Sequence, residues 1–468
     1  MKTDKYRRLL SCCPSLLDAA DKTANDENGA LQNNIPAQVT AYVTAPVLFC
    51  YVCYILDSVK KNNINRIFFL SRDGYILKQI ADIIIERKKL KIQTSYLYVS
   101  RYSLRNALYY ECETAEDFEN AGLFTGYTLK SAKNFLKRAE LNDCQRVEVY
   151  KEIGFSDDEN KDLSDSEYSA FCEKIKNDPA LLCKIKNNSE NNYHNIMKYF
   201  EQSGLFEKGK IAVVDSGWMG TVQKTLTALV NGRTDENIIG YYFGLYRRED
   251  DNYKAFLFDV TDAYKRQRED DNYKAFLFDV TDAYKYVPTF CNNLFECFCS
   301  APHGMTTGYR ECDGKIIPML SDANAEMVKM AEIQTKTAVR FTEYACENEN
   351  YIPICKMRDI SARLLKALMY KPDKQEAEIL GAFPFSDDVT EEKIQRLAGN
   401  CKGSISNILL PVRIIRKKKG KSIYPDKYIY WLYGSIVLTG CKPAWVYRLS
   451  VREWERLRLL RERKKLCR

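Results

Sequence analysis

The sequence predicts an α/β fold with a Rossmann-like, mostly parallel sheet that carries a helical insertion and is followed by a helical C-terminal region. Three observations lead to this prediction. Residues 65–105 alternate between strand, helix and strand, residues 210–215 form a further apolar strand before a helix, and residues 115–207 are polar with helical apolar spacing. Strand–helix–strand units of this length join parallel strands, so ligands are expected at the carboxyl ends of the strands.

The first such unit is the clearest element of the chain. Residues 66–70 predict a short buried strand, residues 71–74 a turn and residues 75–87 a helix, and the next strand is expected at 94–100. Apolar residues recur at 76, 77, 80, 81, 84 and 85, which is the spacing of one helix face. The turn at 71–74 is therefore expected at the ligand-binding edge of the sheet.

Four regions are predicted along the chain. Residues 1–35 are expected to be a flexible lead-in because 21–34 are rich in Asp, Asn and Lys, and 36–320 form the ligand-binding core with its helical insertion at 115–207. At the end of the core, residues 291–320 are expected to form hairpin-like pieces. Residues 321–410 are expected to be helical, and residues 411–468 to be a basic amphipathic tail. The uncharged run at 31–56 could span a bilayer, but Pro46 and several polar residues within it favour a buried helix, so no transmembrane helix is expected.

A tandem duplication interrupts the core. Residues 248–265 are repeated without change at 268–285. A single perfect copy indicates a recent duplication or an assembly artefact and not a solenoid, which needs more repeats. Both copies contain the same strand-like segment, so we expect one copy to be less ordered than the other.

The charge distribution limits the classes of binding partner that the sequence predicts. Of the net charge of +8, residues 411–468 contribute 17 Lys/Arg and 4 Asp/Glu, a local net charge of +13. No nucleic-acid-binding motif is present, so nucleic acid is not expected. Within 445–468 an apolar stripe lies opposite arginines, which favours peripheral contact with an anionic membrane or docking on an acidic partner. A solvated terminal helix is the alternative. The stripe consists of Tyr447, Val451, Trp454, Leu457 and Leu460.

The number and spacing of the cysteines and histidines do not indicate a metal site. The chain has 17 cysteines, an odd number without disulfide spacing, and only 2 histidines, so reduced thiols in the cytoplasm are expected. Neither the pair at 50 and 53 nor the pair at 297 and 299 has a second matching pair, so no metal site is predicted. A magnesium ion accompanying a bound phosphate remains open.

The strongest candidate site follows the strand at 210–215. Two glycines before a helix suit a phosphate, because backbone amides and the positive helix end can point at the anion. Asp215 could orient sugar hydroxyls, and a tryptophan in such a turn is expected to stack on a ligand or to pack against a lid. A tight strand-to-helix connection with Asp215 as a helix cap is the alternative. The predicted ligand-binding residues here are Ser216, Gly217, Trp218, Gly220 and Thr221.

Arginines and a histidine complete the candidate site. Ser71, Arg72, Asp73 and Gly74 follow the first strand, and Arg101 follows the second. Both guanidinium groups are therefore expected at one rim, where they could bind phosphate, although Arg72 and Asp73 could equally form a local salt bridge. His303 lies between Pro and Gly and is proposed with Asp215 as catalytic, although an ordinary turn histidine is equally consistent.

Four motifs occur in a fixed order: FLSRDGYIL at 69–77, YVSRYSLR at 98–105, VVDSGWMGTVQ at 213–223 and SAPHGMTTGY at 300–309. Over about residues 38–320 the chain resembles the C-terminal region of bacterial proteins labelled as predicted hydrolases of the HAD superfamily. Those proteins occur among genes for capsule, O-antigen and other surface polysaccharides. The resemblance implies a role in the biosynthesis of such polysaccharides.

The resemblance does not imply the hydrolase reaction. In that family the hydrolase label comes from a further domain with an Asp-x-Asp-x-Thr/Val strand, and the nearest strings here, at 215–217 and 259–262, lack the second Asp two places on. HAD phosphatase activity is therefore not expected. The order of strands and loops is also similar, more weakly, to type I phosphoribosyltransferases, in which the corresponding loop holds a sugar phosphate.

These features together predict a cytoplasmic protein that binds a phosphosugar or sugar nucleotide and acts as a transferase. The basic tail favours a position at the inner face of the membrane. A non-catalytic interaction module is the alternative, with a glycosyltransferase or a separate HAD hydrolase as its partner. A degenerate paralogue that binds no ligand tightly is the third hypothesis.

Overall fold

The structure is a computed structural model. It describes residues 3–25, 34–125, 131–153, 161, 163–234, 237–246, 272–279, 282–347, 352–386, 394–425 and 429–466. Two helices begin the chain, α1 (Asp4–Leu10) and α2 (Pro14–Ala24). Tyr6, Leu10 and Leu16 are buried in the main core, so the expectation of a flexible lead-in is wrong for residues 3–25.

The centre of the fold is a five-stranded sheet in which every neighbouring pair of strands is parallel. The strand order is β2-β1-β3-β4-β5. This confirms the predicted α/β class with a Rossmann-like parallel sheet. The strands are β1 (Arg66–Leu70), β2 (Gln93–Leu97), β3 (Ile211–Trp218), β4 (Ile239–Leu245) and β5 (Tyr273–Phe278).

Helices cover both faces of the sheet. In β1, Ile67 and Phe69 belong to the core on one face, and Phe68 and Leu70 to the core on the other, because successive strand side chains point to opposite faces. A strand buried on both faces is therefore apolar at every position, as residues 67–70 are. The helices that follow β1, β2 and β3 are α5 (Gly74–Arg87), α6 (Arg101–Leu108) and α12 (Thr221–Leu229).

One long helical segment packs against one face of the sheet. It consists of α3 (Ile35–Val39), a π-helical turn (Thr40–Thr44) and α4 (Ala45–Lys61). Among the described residues, Ile35–Lys61 is the one helix long and apolar enough to cross a membrane, and 89% of its most apolar window is buried inside the protein. This burial agrees with the prediction of a buried helix. The Tyr51 hydroxyl donates a hydrogen bond of 2.9 Å to the backbone oxygen of Asp215.

The insertion between α6 and β3 is helical, as predicted. A one-turn 3₁₀ helix (Tyr109–Glu111) precedes it. Its helices have a second core of their own around Phe135 and Phe171, while the last helix also packs on the sheet through Ile196 and Phe200. They are α7 (Ala115–Asn120), α8 (Ala132–Arg138), α9 (Asp143–Ile153), α10 (Asp165–Lys176) and α11 (Pro179–Gln202).

The duplication meets the sheet through its second copy. β5 is part of residues 268–285, and its last three residues are buried. The first copy, at 248–265, lies outside the described residues, and so does the expected difference in order between the copies. The short helix α13 (Ala283–Tyr286) begins in the last residues of the second copy, and a 3₁₀ turn (Val287–Thr289) follows it.

Residues 291–320 contain a helix in addition to the expected hairpin. The helix α14 (Asn292–Cys299) precedes the hairpin of β6 (Thr306–Cys312) and β7 (Lys315–Leu320). The interpretation of this whole region as hairpin-like pieces was therefore wrong for 292–299. Leu294, Phe295 and Phe298 bury one face of α14 in the main core.

The C-terminal region is mainly helical, as predicted. A two-residue strand pair, β8 (Pro384–Phe385) and β9 (Gln395–Arg396), and a 3₁₀ turn (Ile405–Ile408) divide it. Its helices are α15 (Ala325–Cys346), α16 (Ile354–Met369), α17 (Lys374–Gly381), α18 (Leu410–Lys418), α19 (Leu432–Thr439) and α20 (Ala444–Leu466).

The apolar stripe of the last helix mostly faces the protein itself. In α20, Val451 and Trp454 are buried, and Tyr447 packs against the main core. Leu457 is exposed. The expectation that the whole stripe is free to meet a membrane is therefore wrong, because its centre completes the fold.

Candidate functional site

In the turn after β1, Ser71 and Gly74 stabilise the fold, whereas Arg72 and Asp73 line a pocket. The Ser71 hydroxyl donates to the Val99 carbonyl at 2.7 Å and accepts from the Val99 amide at 3.0 Å, which joins the ends of β1 and β2. At Gly74 a Cβ atom would lie 2.7 Å from the carbonyl carbon of Phe69, so glycine permits the helix to pack close to the strand. Ser71 and Gly74 thus have structural explanations within the protein.

The two charged residues of this turn line a pocket at the carboxyl edge of the sheet. Arg72 and Asp73 form one wall, α14 and the segment after it form a second, and residues from the C-terminal region close the far side. The other lining residues are Glu296, Cys297, Ser300, Ala301, His303, Asp322, Ala323, Asn324, Met327, Val328, Pro384, Phe385, Ser386 and Ile394. No described residue of the insertion at 115–207 is among them.

Arg101 stands at the start of α6, beside the end of β2. Ser100 caps this helix by accepting from the Ser103 amide at 3.0 Å, and its hydroxyl donates to the Thr306 carbonyl at 2.6 Å. Arg101 is exposed and lies outside the residues that line the pocket, but its charge lowers the pKa values of Asp73 and Glu296, against the larger effect of burial. Both arginine charges thus act on Asp73, but only Arg72 lines the pocket.

The segment after β3 differs from its prediction. Asp215, Ser216, Gly217 and Trp218 belong to β3 itself and pair with β4, so the connection to α12 consists only of residues 219 and 220. A phosphate-binding turn at 216–220 is therefore not formed, because the strand continues through the first glycine. At Gly217, φ is +141°, and a Cβ atom would lie 2.3 Å from the backbone oxygen of Gly244.

The second glycine also has an explanation inside the protein. Gly220 is the N-cap of α12 with φ of +73°, and no side chain caps this helix. A Cβ atom here would lie 2.6 Å from the ring of Tyr273 on β5. Neither Thr221 nor Asp215 thus caps α12, and the close approach that requires Gly220 is to an aromatic ring of the neighbouring strand.

The polar side chains of β3 support the pocket from behind. The Ser216 hydroxyl donates a hydrogen bond to Oδ2 of Asp73, and its amide donates to Oδ1 of Asp215 at 2.8 Å. Burial raises the pKa of Asp73, although the hydrogen bond from Ser216 and the charge of Arg72 oppose the rise. Burial raises the pKa of Asp215 well above its ordinary value, and the charge of Asp73 raises it further.

Trp218 connects β3 to a carboxyl group that the sequence did not reveal. Its indole is buried among aromatic rings, with a centroid distance of 5.2 Å to Phe290 and 5.8 Å to Phe295. Its Nε1 donates a hydrogen bond of 2.6 Å to Oε1 of Glu296. The indole is therefore packed in the core and does not offer an open face for stacking on a ligand.

Glu296 lines the pocket from α14. Burial raises its pKa to about 7, and the charge of Asp73 adds to the rise, whereas the hydrogen bond from Trp218 and the charges of both arginines lower it. At neutral pH this carboxyl group is populated in both protonation states. It is therefore the pocket residue best suited to exchange a proton.

His303 lies in the pocket wall with both ring nitrogens engaged. Nδ1 lies 2.8 Å from the carbonyl oxygen of Gly304, which can only accept, so Nδ1 carries the proton. Nε2 then accepts a hydrogen bond of 2.8 Å from the Tyr96 hydroxyl. Burial lowers the pKa of His303, and the charge of Arg72 lowers it further, against the hydrogen bond to Gly304. The imidazole is thus neutral and held in one tautomer.

The carboxyl groups do not form a metal centre. Among the described residues, no group of three or more His, Cys, Asp or Glu side chains is arranged to hold a metal ion. Asp73 is already bound to Ser216, and Glu296 to Trp218. The arrangement therefore does not fit a resident magnesium ion.

Sequence comparisons add no family. No protein-family model matches the chain, and no curated protein sequence matches it significantly.

Proposed function

We propose that the pocket at the carboxyl edge of the sheet binds a phosphosugar or sugar nucleotide and transfers a group of it during bacterial surface-polysaccharide synthesis. One observation carries the proposal: a guanidinium group, Arg72, and a carboxyl group with a pKa of about 7, Glu296, line the same pocket. The first suits a phosphate, and the second suits proton exchange with a sugar hydroxyl. The resemblance of the four sequence motifs supports the pathway.

The lining residues suit the remaining parts of such a ligand. Ser300, Asp322 and Asn324 provide a hydroxyl, a carboxylate and an amide for sugar hydroxyls, and Phe385 provides an apolar surface for a sugar ring. Arg101 at the rim adds positive charge beside the phosphate. Parallel α/β sheets commonly bind ligands at this edge, because the loops after the strands meet there.

The roles within the site shift from those that the sequence suggested. His303 uses both ring nitrogens within the protein, and Asp215 holds the backbone of Ser216. In the proposed reaction Glu296 exchanges the proton, while His303 shapes the wall beside Arg72. Asp215 and Ser216 orient Asp73.

The binding step is tested with purified protein and a panel of sugar phosphates and nucleotide sugars, measured by calorimetry. Replacing Arg72 by Gln removes charge-assisted hydrogen bonds worth about 2 kcal/mol, so binding should weaken about thirtyfold. The matched control is Arg87→Gln at the exposed far end of α5, the helix that follows the turn with Arg72, and this variant should bind as the wild type does. Equal affinity for Arg72→Gln and the wild type, or no binding of any member, contradicts the proposal.

A non-catalytic binding module is the second candidate, and the hydrogen bonds that occupy His303 favour it. Glu296→Gln distinguishes the two, since the amide can still accept from Trp218 but cannot exchange a proton. A catalyst should keep ligand affinity and lose group transfer in this variant. A binding module should show no transfer in either protein.

A further inference from the structure

The lining of the pocket changes its chemical character from one side to the other. On the side of the sheet and α14 the lining consists of charged, polar and small residues, with Arg72 and Glu296 among them. On the far side, the C-terminal region contributes all the large apolar side chains that the described part of the chain brings to the pocket. These residues form an apolar wall, which consists of Met327, Val328, Pro384, Phe385 and Ile394.

Two separate elements supply the apolar wall. Met327 and Val328 lie in the first turn of α15 on the same helix face as its N-cap, Asn324, because residues three and four apart are neighbours on a helix surface. The other three residues belong to the small hairpin of β8 and β9, in which 384 and 385 form β8 and 394 directly precedes β9. The fold of the C-terminal region thus presents an apolar surface to the carboxyl edge of the sheet.

Ile394 is the most exposed part of the apolar wall. It is 50% exposed, and among the large apolar residues that are exposed in the described part of the chain it is the one that lines the pocket. An apolar side chain left in water beside a charged pocket gains free energy when a ligand covers it. The position of Ile394 therefore favours a ligand with an apolar part that leaves the pocket over this residue.

The apolar wall suits an aliphatic group better than a nucleobase. Phe385 is its one aromatic residue, but it is only 7% exposed and packs on Tyr430 with a centroid distance of 5.1 Å, so its ring offers no open face for stacking. Beside the wall, Oδ1 of Asn324 already accepts from the amides of Glu326 and Met327 at 3.0 and 3.2 Å. The accessible surface is therefore aliphatic and thioether, and the flexible methionine can adapt to a chain.

We propose that the ligand of this pocket is a phosphosugar whose phosphate carries an aliphatic chain, that is, a lipid-linked sugar phosphate. Arg72 binds the phosphate, the sugar lies toward Glu296, and the first carbons of the chain lie along Met327, Val328 and Ile394 before they reach the solvent. The phosphate in this assignment rests on the proposed function, whereas the chain rests on the apolar wall. A sugar nucleotide would instead place a polar base against an aliphatic surface.

Alkyl phosphates of increasing length test the apolar wall. Methyl, butyl and hexyl phosphate share one charged head and differ only in their methylene groups, and titrations followed by NMR of the ligand measure their affinities. A fully buried methylene group contributes about fourfold to affinity, and a chain that lies on one wall should gain about twofold per group. Hexyl phosphate should therefore bind about thirtyfold more tightly than methyl phosphate.

A pair of isoleucine variants locates the chain. Ile394→Ser should reduce the gain from methyl to hexyl phosphate to about tenfold and leave the affinity for methyl phosphate unchanged, because only the chain contacts this residue. The matched control is Ile379→Ser on α17, where the isoleucine is 39% exposed and lies outside the residues that line the pocket. This control should keep the full gain. Neither replacement removes a buried side chain, so both proteins should fold.

Three outcomes would overturn the proposal: no binding of hexyl phosphate, equal affinities along the series, or a gain that Ile394→Ser leaves unchanged. Arg72→Gln distinguishes these outcomes from a failure of the proposed function, since it should weaken hexyl phosphate about thirtyfold through the head alone. A flat series that still depends on Arg72 would refute the aliphatic chain and keep the phosphate site. A gain that depends on Ile394 but not on Arg72 would contradict the proposed function and keep the aliphatic contact.

Discussion

The ends of β1 and β3 lie side by side in the sheet but serve different purposes. After β1 the chain turns at once, and Arg72 and Asp73 point into the pocket. Beyond the point where β1 ends, β3 continues as a strand to Trp218. Its Ser216 donates a hydrogen bond to Asp73, and its Trp218 donates one to Glu296. Similar motifs, each with Asp, Gly and an apolar strand before them, thus give a ligand-facing edge in one case and a supporting edge in the other.

The difference shows what a glycine in such a motif can mean. A glycine that permits the approach of a ligand should affect binding when replaced, whereas one that permits the approach of another strand should affect folding. Gly217 meets the backbone of β4, and Gly220 meets a ring on β5. Replacing either glycine should therefore lower the stability of the fold and not ligand binding directly.

The largest effect is expected for Gly217→Ala. The positive φ of +141° and the 2.3 Å approach to the Gly244 oxygen should together lower the free energy of unfolding by about 4 kcal/mol. Urea denaturation measures this loss. The control is Gly209→Ala, at φ of +108° with nothing within 4 Å, which carries only the backbone strain and should cost about 1 kcal/mol.

Equal costs at the two positions would show that β3 and β4 can separate at Gly217. In that case the end of β3 would be free to face a ligand, as the end of β1 is, and the two strand ends would no longer differ in role. A stable Gly217→Ala protein with impaired ligand binding would lead to the same conclusion.

The second prediction concerns the pH dependence that Glu296 creates. Its pKa is raised from 4.5 to about 7 in the folded protein, so the folded state holds this proton more tightly than the unfolded state. Stability from this group is therefore present below about pH 4.5 and is lost as pH rises to about 7, by about 3 kcal/mol in total. Denaturation of the wild type and Glu296→Gln across this range measures the difference.

The difference between the two proteins reports on Glu296 together with its electrostatic interaction with Asp73. Asp73 and Asp215 also have raised pKa values, and their contributions change in the same direction in both proteins. Parallel stability curves would mean that Glu296 is solvated like an ordinary surface carboxylate. The pocket would then lack its proton-exchanging group.

The sequence predicted the β1 edge better than the β3 edge for physical reasons. β1, its turn and α5 carry strong periodicity, and their bounds were predicted to within one residue. Parallel pairing followed from the strand–helix–strand order. The end of β3 was misjudged because Gly217 signals a turn locally, whereas its pairing with Gly244 is a contact between distant residues.

The missing half of the pocket has a similar explanation. Glu296 was overlooked because 291–320 read as hairpin pieces, although Leu294, Phe295, Phe298 and Cys299 recur at helical spacing and could have revealed α14. Residues 322–328, 384–386 and 394 reach the pocket only through the tertiary fold. No local pattern indicates which helices of the C-terminal region close over the sheet.

The smallest predicted effect tests the support that β3 gives to the pocket. Trp218→Phe keeps an aromatic ring in the core but removes the donor to Oε1 of Glu296. Near pH 8, where Glu296 is largely ionised, the loss of a charge-assisted hydrogen bond should cost about 2 kcal/mol, and near pH 5, where it is protonated, about 1 kcal/mol. The same substitution in a Glu296→Gln background should cost about 1 kcal/mol at both values, since a neutral acceptor gains less. A cost independent of pH in the wild-type background would mean that Trp218 serves only packing, and β3 would then support the pocket through Ser216 alone.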